Sequence, residues 1–167
     1  KDIIFKNVSY KYKDKQDYVL KDINLQIKKG QMVGLIGESG QGKTTFINLL
    51  IGLLSPLNGE ILFDEKNIKH YIANWRSFIG FIPQDIYLLD DTIKKNIAFG
   101  INEKQIEEEK INEAIEKSEL SSFIKNLPKG LDTIVGDRGV KISVGQRQRI
   151  GIARSLYRNP DILILDE

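Results

Sequence analysis

The chain has 167 residues, enough for one domain, with 25 basic and 23 acidic side chains spread along it. This balance of +2 excludes a strongly basic nucleic-acid-binding face, and the absence of cysteine excludes disulfides and thiolate metal sites. No apolar run reaches the ~18 residues of a membrane helix, so we expect this stretch to be soluble. Lys1 in place of an initiator Met and the stop at Glu167, after an apolar run, indicate a piece of a longer polypeptide.

Short strands are predicted in the first part of the chain. Period-2 or β-branched patterns occur at Ile3–Phe5, Val8–Tyr12 and Val19–Ile27. Tyr10 and Tyr12 alternate on the second of these strands and so fall on one face. Either tyrosine could stack a flat base, or the two rings could simply pack together. The pattern alone leaves both interpretations open.

The most informative stretch contains the pattern G-x-x-x-x-G-K-[ST]. Its fixed positions are Gly37, Gly42, Lys43 and Thr44. An apolar run at Met32–Ile36, predicted to be a strand, precedes it, and an amphipathic run at Thr44–Leu54, predicted to be a helix, follows. Glycine-rich backbone can close round phosphates, with the positive end of the helix dipole directed at them. Lys43 would then reach the β- and γ-phosphates and Thr44 would ligate Mg²⁺. The alternative is a glycine turn with a chance lysine.

Turn and strand signals follow this helix. Ser55–Pro56 predicts its end, Asn58–Gly59 a tight turn and Glu60–Phe63 a strand, part of an antiparallel layer beside a nucleotide-binding core. A second apolar run, Trp75–Gln84, is predicted to be a strand that places Gln84 at a junction between strand and loop. Glutamine can coordinate a metal through its oxygen, although an ordinary polar loop residue is the alternative.

From about residue 86 the pattern changes to helix and charge. Within Glu103–Ser118, the apolar residues Ile111, Ala114 and Ile115 have i, i+3, i+4 spacing, which predicts one packed and one solvated face. Leu127–Gly130 contains proline and glycine and breaks this pattern. We therefore expect a helical subdomain inserted into an α/β core.

The last segment combines a capped helix with an apolar run. Ser143 is predicted to cap a helix that ends near Arg158, with Ile150, Ala153 and Tyr157 on one side.

The continuous apolar run Ile162–Leu165 is typical of a buried parallel strand and ends in Asp166 and Glu167. Ligands of open α/β sheets bind at this end of a strand, and two buried carboxylates need a cation, so a phosphate-bound Mg²⁺ is expected there. The alternative is a strand that ends in solvated acids.

Taken in order, Tyr12, GESGQGKT, the loop at Gln84, ISVGQ and ILILDE resemble the nucleotide-binding domain of an ABC transporter. The resemblance spans essentially the whole chain. It implies an α/β P-loop NTPase fold that has a RecA-like core, an antiparallel β layer and an inserted helical subdomain and lacks the C-terminal part. The expected divisions are the core and β layer at 1–84, the helical subdomain with the signature helix at 85–158, and the Walker B strand at 159–167.

The resemblance also implies which residues bind ATP. Tyr12 would stack the adenine, and the phosphate loop would hold the phosphates. Residues of a second copy would bind the γ-phosphate, so that two domains enclose two ATP molecules head to tail. The implied nucleotide-binding set is Tyr12, Gly37, Glu38, Ser39, Gly40, Gln41, Gly42, Lys43, Thr44 and Thr45, with Ser143, Gly145 and Gln146 from the second copy.

Catalytic and metal roles follow from the same resemblance. Glu167 would polarise the attacking water, Gln84 would sense both the metal and the membrane domain, and Lys43 would hold the phosphate. The implied Mg²⁺ ligands are Thr44, Gln84 and Asp166, the last acting through water. Because phosphoryl transfer depends on positioning and charge stabilisation, we expect half a site to hydrolyse poorly and the dimer to be the active species.

Two stretches, Thr92–Gly100 and Thr133–Gly139, are similar to those of ABC exporters. The resemblance is strongest to lipid, oligosaccharide or peptide exporters, in which the transmembrane domain precedes the nucleotide-binding domain on one chain. It implies a domain on the cytoplasmic face of the cell membrane that powers export and binds no nucleic acid. A soluble ABC protein that acts on DNA or ribosomes is a rival interpretation, disfavoured by the absence of a basic face.

The chain departs from the family pattern in two places. In the signature, Ile142 and Val144 replace the usual Leu and the first Gly of LSGGQ. A β-branched residue at 144 would crowd a loop that approaches phosphate, or restrict its backbone to negative φ, so we expect slower hydrolysis than in a Val144→Gly variant. The family's interface loop and switch histidine, which follow the two acids, are not in this sequence. A module that binds ATP with little or no hydrolysis is therefore the alternative function.

Overall fold

The computed structural model describes residues 2–136 and 139–166. It divides into two units, residues 1–77 and 78–167. No helix in the described ranges is long and apolar enough to cross a membrane. The α/β class predicted from the sequence is confirmed, and each unit contributes its own sheet.

The first unit is built on an antiparallel sheet with strand order β2-β1-β3-β4. Its strands are β1 (Asp2–Tyr10), β2 (Leu20–Lys28), β3 (Asn58–Phe63) and β4 (Lys66–Asn67). Its helices are α1 (Lys43–Leu50), a 3₁₀ turn (Ile68–Tyr71) and α2 (Ile72–Ser77). The predicted antiparallel layer is thus present, and α1 is the helix that follows the phosphate-loop motif.

Aromatic contacts fasten α1 and α2 to this sheet. The Phe5 ring of β1 stacks on Phe46 of α1, with centroids 4.6 Å apart and planes 14° apart. Phe63 of β3 meets the Trp75 ring at 4.9 Å, and the buried Trp75 Nε1 donates to the Leu50 carbonyl over 2.7 Å. Each such ring pair adds about 0.5–1.5 kcal/mol beyond its buried area. These contacts fix α1, and with it the loop that precedes α1, relative to the sheet.

The predicted strands at Ile3–Phe5 and Val8–Tyr12 belong to a single strand, β1, which ends at Tyr10. Asn7, with a φ of 49°, lies at an irregularity between the two predicted pieces, where the register with β2 shifts. Gly59 lies within β3, so the predicted Asn58–Gly59 turn is wrong. A Cβ on Gly59, whose φ is 78°, would lie 2.2 Å from the Lys6 carbonyl oxygen, so the glycine is needed for close approach of two strands.

The predicted strand at Met32–Ile36 is also wrong, because these residues have no strand partner in the described chain. The side chains of Met32 and Ile36 are fully exposed, and Leu35 is 41% exposed. An apolar run indicates that a segment favours burial, but a strand exists only where another strand supplies its hydrogen bonds.

Two further boundaries differ from the predictions. The helix predicted to reach Leu54 ends at Leu50, where Gly52 adopts a φ of 73° and reverses the chain before the Ser55–Pro56 signal is reached. The strand predicted from Trp75 begins only at Ile79, because Trp75 belongs to α2. A single apolar run therefore divides between a helix and a strand.

The second unit combines a two-stranded parallel sheet with a cluster of helices. Its strands are β5 (Ile79–Ile82) and β6 (Ile162–Leu165). Its α-helices are α3 (Ile93–Ile97), α4 (Glu108–Lys117), α5 (Ser121–Lys125) and α6 (Val144–Tyr157), with 3₁₀ turns at Glu103–Gln105 and Gly130–Asp132. The predicted packing of Ile111, Ala114 and Ile115 is confirmed, since all three are buried in one core with Ile150 and Ala153 of α6.

Helix α6 follows its prediction closely. Ser143 is the N-cap and Arg158 the C-cap, and Ile150, Ala153 and Tyr157 are buried as expected. Strand β6 is confirmed as a parallel strand, but only Ile164 is buried, whereas Leu163 and Leu165 are 43% and 61% exposed. The expectation of a strand buried on both faces is therefore wrong for the described chain.

Candidate functional site

The loop before α1 depends on two glycines in the left-handed region. Gly40 has a φ of 85° and Gly42 a φ of 91°, which L side chains rarely adopt. Gly42 is the N-cap of α1, and a Cβ on it would lie 3.2 Å from the Val19 carbonyl oxygen. A Cβ on Gly40 would meet no heavy atom within 4 Å. The backbone of Gly42 is thus held closely against the chain, while Gly40 faces open space.

Lys43 turns back into this loop. Its Nζ donates to the Gly37 carbonyl over 2.6 Å and to the Glu38 carbonyl over 2.9 Å. Gln41 spans the Ser39–Gly40 turn, since its N–H donates to the Glu38 carbonyl and its Oε1 accepts from the Glu38 N–H. The ammonium group of Lys43 is therefore bonded to two carbonyls of the loop and lies beside the start of a helix.

Donors at the start of α1 favour an anion. The first N–H groups of a helix have no partner within the helix, and Gly42 provides no side-chain cap. The first turn carries no acidic residue, and the exposed Thr44 hydroxyl lies in it. A helix N-terminus, a loop with left-handed glycines and a lysine bonded to that loop together form a set of donors suited to phosphate oxygens.

Tyr12 contacts the same helix. It lies two residues beyond the end of β1, whereas the sequence predicts that it belongs to the strand. Its ring meets Tyr10 edge-on at 5.1 Å, and its hydroxyl is 3.1 Å from the hydroxyl of the buried Thr45. The tyrosines thus do pack together, and 39% of Tyr12 stays exposed. A role in stacking adenine remains a prediction.

The start of α6 brings Ser143 and Gln146 together. The Gln146 N–H donates to Ser143 Oγ over 3.3 Å, and the Ser143 N–H donates to Gln146 Oε1 over 3.1 Å, which forms a capping box. Val144 is the first residue of the helix and 64% exposed. Helical residues have negative φ, the range to which the sequence predicts that a β-branched residue would restrict this backbone, so the crowding by the side chain is what remains a prediction. A Cβ on Gly145 would meet no heavy atom within 4 Å, so the exposed start of α6 is open to an approaching group.

Gln84 and Asp166 follow the carboxyl ends of paired parallel strands. Ile82 of β5 is in register with Leu165 of β6, and the Asp166 N–H donates to the Ile82 carbonyl over 3.0 Å. Gln84 follows two residues after β5, as predicted. In residues 2–136 and 139–166, no three His, Cys, Asp or Glu side chains cluster as a metal site. Single oxygen donors of this kind suit Mg²⁺, which keeps most of its waters and binds substrate phosphates.

Comparison with known proteins identifies the family. The sequence model of the ABC transporter family matches residues 20–167, which include the phosphate loop, the start of α6, and strand β6 with Asp166 after it. The chain belongs to the ABC transporter family.

Individual relatives are longer than this ABC transporter chain. It is 46% identical over 162 residues to a putative multidrug export ATP-binding/permease protein of Staphylococcus aureus, covering 96% of the chain and 28% of that protein. It is 40% identical to an ATP-dependent lipid A-core flippase of Cupriavidus metallidurans, covering 99% of the chain and 28% of the relative. The chain therefore spans about 28% of the length of these curated relatives.

A solved structure has the same fold as this ABC transporter chain. It is a bacterial Atm1-family ABC exporter with ATP bound, with a TM-score of 0.91 and 38% identity over 99% of the chain and 29% of that structure. Likeness at this level supports the P-loop NTPase fold class predicted from the sequence.

The catalytic role of Glu167 remains a prediction, because this residue lies outside the described residues of the ABC transporter chain. Two other features of the candidate site have little or no local signal in the sequence. The contact between Tyr12 and Thr45 joins positions 33 residues apart, and no local pattern indicates it. Arg154, which bonds to Asn96 and to the loop after Gln84, was not predicted at all. The only feature of the sequence that points to Arg154 is a basic residue placed directly after the buried Ala153, on a helix whose inner side is apolar.

Proposed function

We propose that this chain is the ATP-binding and ATP-hydrolysing domain of an ABC exporter. The observation that carries the proposal is the loop around Lys43, in which left-handed glycines and the start of α1 form a phosphate-binding arrangement. Family membership and the names of the relatives, which include a multidrug exporter and a lipid A-core flippase, support an export role over action on DNA or ribosomes.

The residues that are proposed to bind Mg·ATP have donors of the right kind. The loop backbone and Lys43 would bind the phosphates, and Tyr12 would stack the adenine with the ring that Thr45 anchors through its hydroxyl. Oxygen atoms of Thr44, Gln84 and Asp166 are the proposed Mg²⁺ ligands. The metal, when bound, neutralises charge on the β- and γ-phosphate oxygens. Glu167 would accept the proton of the attacking water.

A second copy of the chain is the proposed partner at the start of α6. Ser143, Gly145 and Gln146 are exposed or partly exposed there, and Gly145 leaves room for close approach of another group. Two chains would then enclose two ATP molecules head to tail, and each would supply what the other lacks. We further propose a transmembrane domain that precedes this domain on the same polypeptide and holds it at the cytoplasmic face of the membrane.

The two stretches of the second unit that are similar to exporters lie side by side. Thr92 forms a β-bridge with Ile134, and the Ile93 N–H donates to the Thr133 carbonyl over 3.0 Å. The two stretches similar to exporters, 92–100 and 133–139, are therefore joined, although Asp137 and Arg138 lie outside the described residues. We propose that this joined surface contacts the membrane domain.

The concentration dependence of ATP hydrolysis tests the proposed function. If two chains form each site, the rate per chain rises with chain concentration and becomes constant once the dimer is complete, because half a site positions the reactants poorly. Mg²⁺-dependent phosphate release from the purified 167-residue chain measures this. A rate per chain that does not vary with concentration contradicts the dimer. Mg·ATP binding without hydrolysis, even in the dimer of the intact transporter, favours the binding-module alternative.

Replacing Val144 by Gly is expected to speed hydrolysis in the intact transporter. Since the backbone at Val144 is helical, the remaining obstacle is its branched side chain, which is 64% exposed where phosphate is proposed to approach. Crowding that costs about 1 kcal/mol corresponds to about a fivefold change in rate. Steady-state turnover of wild type, Val144→Gly and the β-branched control Val144→Thr measures it. Equal turnover of all three refutes the crowding argument.

A further inference from the structure

One arginine of α6 is partly buried among carbonyl groups of the second unit. Arg154 donates from Nε to the Asn96 carbonyl and from Nη1 to the Tyr87 carbonyl, each over 2.8 Å, and from Nη2 to Asn96 Oδ1 over 3.1 Å. Its guanidinium also lies 4.8 Å from the centre of the Phe99 ring. Burial lowers the pKa of Arg154, and the described residues hold no ion pair for it. Carbonyl and ring contacts therefore offset the cost of desolvating this cation.

Asn96 connects the arginine to the loop that follows Gln84. This residue is fully buried in α3, and its Nδ2 donates to the carbonyls of Leu89 and Thr92, each over 3.0 Å. Its Oδ1 accepts from the Leu89 N–H over 2.9 Å as well as from Arg154. Because both ends of the carboxamide are engaged, rotating or removing it would leave buried polar groups without partners.

The loop at residues 83–91, here called the Gln84 loop, also touches α6 directly. Ile86 and Leu88 are buried, and a Cβ on Gly151 would lie 2.2 Å from Ile86 Cδ1. Gly151 and Arg154 are three positions apart and so lie on neighbouring parts of one helix face. The irregular Gln84 loop is thus attached to α6 at Ile86, at the Tyr87 carbonyl and, through Asn96, at Leu89.

We propose that Arg154 is a positioning residue that fastens the Gln84 loop to the helix capped by Ser143, so that Gln84 and Ser143 move together. The proposal deepens the proposed function and rests on it, since Gln84 matters only if it senses nucleotide or the membrane domain. A fully satisfied buried polar network has few alternative arrangements of similar energy, because each broken bond strands a desolvated group. Movement imposed on the Gln84 loop is thereby transmitted to the start of α6, where the second copy is proposed to bind.

Hydrogen exchange of the intact transporter in nanodiscs tests this linkage. In Arg154→Met, which keeps the apolar stem and removes the donors, we expect amides of the Gln84 loop to exchange about tenfold faster, with the Leu89 amide as the sharpest reporter. The matched control is Arg149→Met on the same helix, whose Nη1 donates to the Glu119 carbonyl over 3.0 Å. The control is expected to leave exchange in the Gln84 loop unchanged.

A conservative variant separates positioning from general loss of structure. Protection of α4 amides reports whether the second unit stays folded, and if Arg154→Met loses it, Arg154→Lys takes its place. Lysine keeps the charge but has one donor nitrogen in place of the three nitrogens of the guanidinium. Arg154→Lys is therefore expected to retain only part of the wild-type protection of the Gln84 loop amides, with the protection of α4 unchanged. Unchanged Leu89 exchange in the folded variant, or equal effects of Arg149→Met, overturns the proposal. A wild type without ATPase activity contradicts the proposed function but leaves the exchange result able to decide on the linkage.

Discussion

Replacing Glu167 by Gln in the intact transporter is expected to lower ATP hydrolysis by about 10²–10⁴-fold, the usual contribution of a positioned general base. Glutamine keeps the shape of the side chain but cannot take a proton from water. The affinity for Mg·ATP should stay largely unchanged, because removing a negative charge near the phosphates does not weaken the attraction between the phosphates and the protein. Steady-state turnover and Mg·ATP affinity, measured on the same preparation, give both quantities.

The control for this variant is Glu116→Gln, which makes the same chemical change on an exposed position of α4. It is expected to turn over at the wild-type rate. Retained turnover in Glu167→Gln removes Glu167 from the role of base. Absence of turnover in wild type and variant alike, with binding preserved, favours a module that binds ATP without hydrolysing it.

Local signals explain which elements the sequence could predict. Helix α6 was predicted from its cap, its apolar spacing and its Asn159–Pro160 stop, and each of these signals lies within the helix or next to it. The capping box between Ser143 and Gln146 is local in the same sense, because three residues separate its partners. Strand β6 was also predicted, since a short apolar run before two acids admits few other structures.

Elements that depend on distant partners were predicted less well. Met32–Ile36 has the apolar composition of a strand, yet no strand in the described chain pairs with it. Trp75 belongs to an apolar run that resembles one strand, but its Nε1 bond to the Leu50 carbonyl stabilises a helix there. Gly59 was predicted as a turn because Asn-Gly favours one, whereas the close approach of Lys6 requires a glycine inside β3. Composition indicates burial, and tertiary partners decide the backbone.

The same distinction holds for the candidate site. The phosphate loop was predictable because its glycines, its lysine and the helix start are consecutive. The contact of Tyr12 with Thr45 joins positions 33 residues apart. The contact of Arg154 with Asn96 joins positions 58 residues apart. Residue spacing in the sequence therefore does not predict either contact. Arg154, which we propose positions the site rather than forms it, is recognised only through such a contact.

Replacing Lys43 by Ala is expected to weaken Mg·ATP binding about ten- to a hundredfold, or about 1.5–3 kcal/mol, through lost charge-assisted bonds to phosphate. The structure adds a second reason, because Lys43 Nζ also bonds to the Gly37 and Glu38 carbonyls and so holds the loop closed. Isothermal titration of the 167-residue chain with Mg·ATP measures the affinity. Lys29→Ala, at an exposed position before the loop, is the matched control and should bind as wild type does.

Titration with AMP separates the two contributions of Lys43. AMP lacks the β- and γ-phosphates. If Lys43 acts only by binding these phosphates, Lys43→Ala leaves the affinity for AMP unchanged. If the substitution instead collapses the loop, the affinity for AMP falls as well. Equal Mg·ATP affinity in wild type and Lys43→Ala contradicts the phosphate-binding role. If wild type itself does not bind, the loop alone is not sufficient in this chain. The exposed segment Met32–Ile36, which leads into the loop, would then need partner strands before the loop can hold nucleotide.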